Sequence, residues 1–165
     1  MTQTLLPRLV PALVLAAAAL VAGCAQTPLD STTTTVDNFS KIKAAGIRPV
    51  AVGDFQSVND KRPTEARFLK DTLTTELQGA GMFDANAGAS IQGTLVDADM
   101  GKTSGSVAAR FIVTVAGGRV VYDRELRTSG TWGANANVTR EQGNVYSKLV
   151  GLLFTDPGFR NAVPR

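Results

Sequence analysis

Histidine is absent from this 165-residue chain, and cysteine occurs once, at Cys24. Without histidine there is no Ser-His-Asp relay, no histidine metal ligand and no side chain whose ordinary pKa lies close to neutral pH. A lone cysteine leaves no intrachain disulfide, no paired-cysteine zinc site and no dithiol redox couple. A strong excess of either charge is also missing, with 17 basic residues against 14 acidic ones. That balance speaks against the basic stripe of a nucleic-acid-binding domain and against the acidic composition of a disordered, solvating chain. The longest apolar run, Leu9 to Ala22, has 14 residues and contains Pro11. A membrane-spanning helix needs about 20, so this run is too short to be one.

What is present begins with an address. The first 23 residues hold 16 hydrophobic ones and a single charge, Arg8, which reads as a signal peptide over 1–23. The segment ends in Val21-Ala22-Gly23-Cys24, which resembles the lipobox of bacterial lipoprotein precursors. The resemblance implies diacylglycerol and an acyl chain such as palmitate on Cys24, making that residue the membrane anchor. Ala25 follows where the inner-membrane retention signal of such proteins typically has aspartate. The implied address is therefore the outer membrane, on its periplasmic face. Residues 24–46 read as a lipidated N-terminus and a flexible tether, because Ser31-Thr32-Thr33-Thr34-Thr35 and Pro28 offer little to bury against the entropy of ordering. Asn38-Phe39-Ser40 and Asn137-Val138-Thr139 match the glycosylation sequon, which carries no information in a bacterial lipoprotein.

From 47 to 165 the pattern is that of one α/β domain. A strand is expected through Ile47–Phe55, with Pro49 near its entry where a missing N–H is tolerable. Thr64 then serves as N-cap for a helix carrying Phe68, Leu69, Leu73, Leu77 and Ala80 and stopping at Gly79 and Gly81. Ile91–Val96 reads as the next strand. Val107, Ala109, Phe111, Val113 and Val115 alternate with more polar neighbours, Gly117-Gly118 interrupts, and Val120, Tyr122 and Leu126 resume. A two-residue turn at the glycines sets Val115 opposite Val120, Val113 opposite Tyr122 and Arg110 opposite Glu125. Arg124 then falls opposite Phe111 on the apolar face, a position suited to a side chain that snorkels past an aromatic ring. Thr139 and Gln142 resemble a capping box for a last helix bearing Val145, Leu149, Leu152 and Leu153. Asp156-Pro157 follows as the start of a short turn. The expectation is an α+β two-layer sandwich in β-α-β-β-β-α order, two helices covering one face of a mainly antiparallel four-stranded sheet.

The lipobox, the Phe68-Leu69-Lys70-Asp71-Thr72-Leu73 helix ending in Gly81, the strands around Gly117-Gly118 and the closing Asp156-Pro157-Gly158-Phe159 resemble the YajG-like family of small bacterial lipoproteins. The element order is also similar to that of LptE-type lipoproteins, and more loosely to LpoB-type activators and to lipoproteins auxiliary to ABC transporters. The resemblance implies an envelope accessory or protein-binding module. The alternative is a module that handles lipid or lipopolysaccharide, with an acyl chain between helices and sheet.

Motifs for catalysis are weak. Gly101-Lys102-Thr103 echoes a P-loop end, but Val96 stands where the glycine-rich start needs Gly, so no nucleotide is expected. Lys102-Thr103-Ser104-Gly105 and Ser40-Lys41-Ile42-Lys43 echo penicillin-recognising motifs but lack a Ser-Asp-Asn element. Asp97 and Asp99 share one side of a strand, without the six to eight oxygen ligands that calcium requires. The expectations are accordingly no enzyme activity, no metal, no cofactor beyond the acyl groups of Cys24, and no nucleic-acid partner. Partners are the membrane through the anchor and an envelope protein or lipid. Lys102, Arg119, Arg124 and Arg127 are the candidate contacts, able to meet phosphates or acidic groups. Asp123 and Glu125 on the same hairpin offer those cations internal partners instead.

Cys24→Ser is expected to abolish incorporation of labelled palmitate and release the protein from membranes; fractionation that leaves it fully membrane-bound contradicts lipid anchoring.

Overall fold

The computed structural model describes residues 35–164. The signal peptide, Cys24 and the start of the expected tether lie outside the described residues. The elements run α1 (Thr35–Ala45), β1 (Ala51–Ser57), α2 (Pro63–Gly79), β2 (Ala89–Met100), β3 (Ser104–Val115), β4 (Arg119–Thr131), α3 (Val138–Thr155) and α4 (Pro157–Ala162). The fold is α+β, and its sheet has the order β1-β2-β3-β4. β1 runs parallel to β2, which the crossover through α2 makes possible, while β2-β3 and β3-β4 are antiparallel hairpins. α2 packs on β1 and β2, α3 packs on β3 and β4, and α1 lies mainly against α3 and α2.

The alternation expected along β3 positions everything else. Val107, Ala109, Phe111 and Val113 are fully buried on one face, so β3 presents a continuous apolar strip to the helices. On β2 the same face takes Ile91, Gly93 and Leu95, and then Ala98. The switch from odd to even positions follows a bulge between Leu95 and Asp97, because one extra residue reverses the side-chain parity. Gly93 has a specific task, since a Cβ there would overlap the Phe55 ring. That ring packs edge-on to Phe111 at 6.2 Å.

The β3–β4 hairpin keeps most of the expected register, including Val113 opposite Tyr122, Phe111 opposite Arg124 and Arg110 opposite Glu125. Its turn differs. The register shifts between Val113 and Thr114, so Val115 faces Arg119 and Thr114 faces Val120. Gly117 and Gly118 both have φ near +80°, and the Gly118 N–H donates to the Val115 carbonyl. Helix starts also differ from expectation. α2 opens with Pro63 at its first turn, preceded by Arg62, whose N–H donates to Ser57 Oγ at 2.9 Å. In α3 the cap is Asn137, whose Oδ1 accepts from the Arg140 N–H at 3.1 Å. An Asn side chain reaches that N–H directly, so the Thr139 and Gln142 pairing is not needed.

The largest correction concerns residues 35–46, read above as tether. Thr35–Ala45 form helix α1, whose Asn38, Ile42 and Ala45 are all buried, so the folded unit begins well before residue 47. A helix laid against two other helices needs only a narrow stripe, and a polar stretch with three positions at spacings of four and three supplies one. Asn38 is the polar member of that stripe. Its Nδ2 donates to Glu76 Oε1 of α2 at 3.1 Å and to the Ser147 carbonyl of α3 at 2.8 Å. Gly151 of α3 permits the approach, since a Cβ there would collide with Asn38 Oδ1.

Glu76 is 3% exposed and its Oε2 has no hydrogen-bond partner. Burial pushes its carboxyl above the ordinary value of 4.5, and the Asn38 hydrogen bond pulls the other way without prevailing. The folded protein thus favours the protonated form. Its stabilising contribution is complete below the ordinary carboxylate pKa and is lost as pH rises through the folded one. Glu76→Gln, permanently neutral, is expected to melt higher than wild type at neutral pH, with the difference shrinking toward acid. Glu76→Ala is expected to lose about 1–3 kcal/mol, as befits a buried amide stripped of a partner. Thermal melts against pH check both.

Candidate functional site

At one end of the sandwich the start of α2, the end of β2 and the first turns of α3 enclose a cleft of about 510 Å³. The start of α2 contributes Thr64, Glu65 and the preceding Arg62, β2 contributes Asp99 and Met100, and α3 contributes Gln142 and Tyr146. The local sequence dictates this gathering. The bulge before Asp97 keeps Ala98 inward and leaves Asp99 exposed. Pro63 begins α2 where its missing N–H costs nothing, which places Glu65 in the first turn with the helix dipole in its favour.

Tyr146 anchors the inner wall. Its ring meets Phe68 edge-on at 5.1 Å, and its hydroxyl is buried with no hydrogen-bond partner among the described residues. Burial raises its pKa, the Glu65 charge adds to that, and Arg62 opposes it. Those two charges form a loose pair at 3.5 Å between partly exposed side chains, a kind of contact worth little in water and easily exchanged. Asp99 has no ion pair among the described residues. The cleft thus collects two carboxylates, an amide, two hydroxyls and the thioether of Met100 around one cation. Such a set suits a cationic group on an apolar stem, which lies along Met100 while its charge meets carboxylate oxygens.

The four cations expected as contacts are not brought together. Lys102 lies in the β2–β3 turn, exposed, its carbonyl accepting the Trp132 indole N–H at 2.6 Å. Arg119 sits at the opposite end of the β3–β4 hairpin. A twelve-residue strand separates them, on the order of 35 Å at the usual rise. Arg127 lies 3.7 Å from both Asp97 and Glu125. Between Asp97 and Arg127 in the register is Ala108, small and fully buried although it lies off the main core. Arg110 chooses Asp123, through two hydrogen bonds, over Glu125 directly opposite.

Arg124 has a structural partner that snorkelling past Phe111 did not anticipate. Its guanidinium holds Asp156 at 2.6 Å, and Asp156 Oδ1 caps α4 by accepting the Phe159 N–H at 3.1 Å. Burial works against ionisation of Asp156, yet the hydrogen bonds from Arg124 and the Phe159 N–H outweigh it and hold its carboxyl low. Beneath this pair, Tyr122 stacks edge-on with Phe159, and Phe159 with Phe154. Desolvation, with the Asp156 charge adding and Arg124 opposing, pushes the Tyr122 phenol up to about 12. Arg124 therefore ties the edge strand to α4.

The sequence pairs Asp99 with Asp97 on one side of a strand, but nothing in it places Asp99 in this cleft. Tyr146 had a signal of its own, since it neighbours Val145 on the apolar stripe of the last helix, but nothing in that periodicity marks its hydroxyl as unpaired.

Fold and site together define a small α+β domain, one face of its mixed sheet covered by helices and a polar cleft at one end of the helical layer. Solved structures share this fold. A PelC dodecamer from Paraburkholderia phytofirmans matches 73% of this chain and 91% of its own at 14% identity, with a TM-score of 0.51. The hypothetical protein CT253 from Chlamydia trachomatis matches 66% of this chain and 94% of its own at 10% identity and the same TM-score of 0.51. A minor lipoprotein from Acinetobacter baumannii, at 14% identity over 72% of this chain and 97% of its own, has a TM-score of 0.45. For the first two the likeness is one of fold alone. No protein-family model matches the chain, and no curated protein does.

Tyr146→Phe removes an unpaired buried hydroxyl and keeps the ring. Its expected effect is a gain of about 1 kcal/mol in unfolding free energy or none, since the lost group has no bond to forfeit. A clear loss in denaturant titrations contradicts the assignment of that hydroxyl as unpartnered.

Proposed function

We propose that this protein is a non-catalytic envelope lipoprotein that acts as an accessory, protein-binding module. On this reading it is anchored by acyl groups on Cys24 to the periplasmic face of the outer membrane. The observation that carries the binding role is the end cleft, where Asp99, exposed and without an ion pair among the described residues, stands beside the loose Arg62–Glu65 contact. Partly exposed charges held this loosely exchange partners readily, and a carboxylate prefers a cationic donor. The partner group that fits is a lysine or arginine side chain, competing with Arg62 for the carboxylates. The lipobox and Ala25 support the address. No cofactor beyond the anchor enters this reading.

The lipid-handling alternative draws less support. It asks for apolar space between helices and sheet, and Leu69, Leu73, Leu77, Ile91, Phe111, Leu149 and Leu153 fill that layer, each about 1% exposed or less. It also asks for converging cations, whereas Arg124 and Arg127 are engaged with Asp156 and with Asp97 and Glu125.

A photo-crosslinking residue in place of Thr64, in the lipidated protein within intact cells, is expected to yield a defined protein adduct. Asp99→Lys in the same chain is expected to reduce that adduct several-fold by charge repulsion. An adduct indifferent to Asp99→Lys, or none in an intact envelope, contradicts the proposed role of the cleft.

A further inference from the structure

Helix α1 is apolar on more than its docked side. Val36 is 81% exposed and Phe39 44%, three residues apart and so on one face of the helix. Lys43, one turn further on, holds its ammonium 5.6 Å above the Phe39 ring. Val36 and Phe39 border an apolar hollow of about 240 Å³ closed by Gly79 and Glu76 of α2. The opposite stripe of Asn38, Ile42 and Ala45 is locked into the helical layer, so α1 cannot roll to hide these side chains. Asp37 is engaged with Lys41 at 2.6 Å, whereas Lys43 has no carboxylate partner among the described residues.

We propose that the Val36–Phe39–Lys43 face of α1 rests on the membrane leaflet that carries the anchor, holding the domain in one orientation. The inference builds on the reading of Cys24 as the lipidated residue. On that reading only ten residues, 25–34, separate the anchor from Thr35. Full extension of that length reaches about 35 Å, so the first turn of α1 can lie no farther than that from the bilayer. Its chemistry matches an interface, with Val36 and Phe39 entering the headgroup boundary and Lys43 meeting anionic headgroups while its stem lies along the ring. A second copy of the chain is the weaker occupant. Two side chains fall far short of the roughly 800 Å² per partner that a stable interface buries.

The test uses the full lipidated chain in vesicles of phosphatidylethanolamine and phosphatidylglycerol. The Cys24 sulfur is consumed by lipidation, so Val36→Cys supplies the sole free thiol for an environment-sensitive fluorophore, at a site too exposed to disturb folding. The expected result is blue-shifted emission with quenching by spin-labelled lipids several-fold stronger than for the same label in Val120→Cys, at the exposed start of β4. Adding Lys43→Glu is expected to weaken the quenching in these anionic vesicles. Equal quenching at both positions, or none at 36 in protein that still floats with the vesicles, overturns the proposal while leaving lipid anchoring intact. Blue-shifted emission that follows protein density instead of spin-labelled lipid identifies a second copy as the occupant and overturns it too. Protein that fails to float, with no acyl mass on Cys24, refutes the anchoring reading itself.

Discussion

Everything in this fold leans on the one-sided burial of β3. Val107, Ala109, Phe111 and Val113 face the helices with no exposure, and both neighbouring strands must keep their apolar residues on that side to extend the strip. On β2 the chain inserts a bulge before Asp97, which keeps Ala98 inward beyond it, whereas the shift near Thr114 at the β3–β4 turn sets Val120 opposite Thr114 and leaves it exposed. The outer face is left to polar and charged side chains, among them the Arg110–Asp123 pair and Arg127 with its two acidic neighbours. Exposed pairs of this kind add little stability and serve mainly to keep the uncovered sheet soluble.

The helical layer is joined by a different device. Leucines hold α2 and α3 to the sheet, but α1 is keyed to them through Asn38, whose amide bridges Glu76 and the Ser147 carbonyl over the bare backbone of Gly151. A polar key gives α1 one angular setting, because sliding or rolling it leaves a buried amide unpaired. The buried carboxyl of Glu76 is part of the cost of that specificity. The same setting determines which face of α1 is left outward, and hence where Val36 and Phe39 stand.

The two ends of α3 serve separate purposes. Near its start, Tyr146 and Gln142 line the cleft with the opening of α2; beyond its end, Asp156 caps α4 and binds Arg124 of the edge strand. Arginine at a sheet edge thus closes the structure, while at the opposite end of the helix the charges that line the cleft are only loosely paired.

By itself the sequence determined the strand types, the two helices that cover the sheet, its one-sidedness, most of the β3–β4 register and the break at Asp156-Pro157, which the structure turns into the short helix α4. These follow from hydrophobic period and turn chemistry, which act between residues close along the chain. Tertiary structure alone decided that residues 35–45 form a helix, because its stripe is short and its key residue is polar, with partners 38 and 109 positions away. It also decided that Arg124 binds Asp156 and that Glu65, Asp99 and Tyr146 share a cleft. Side-chain pairing across three elements has no period to read, since it depends on where the packed layers finally place each end.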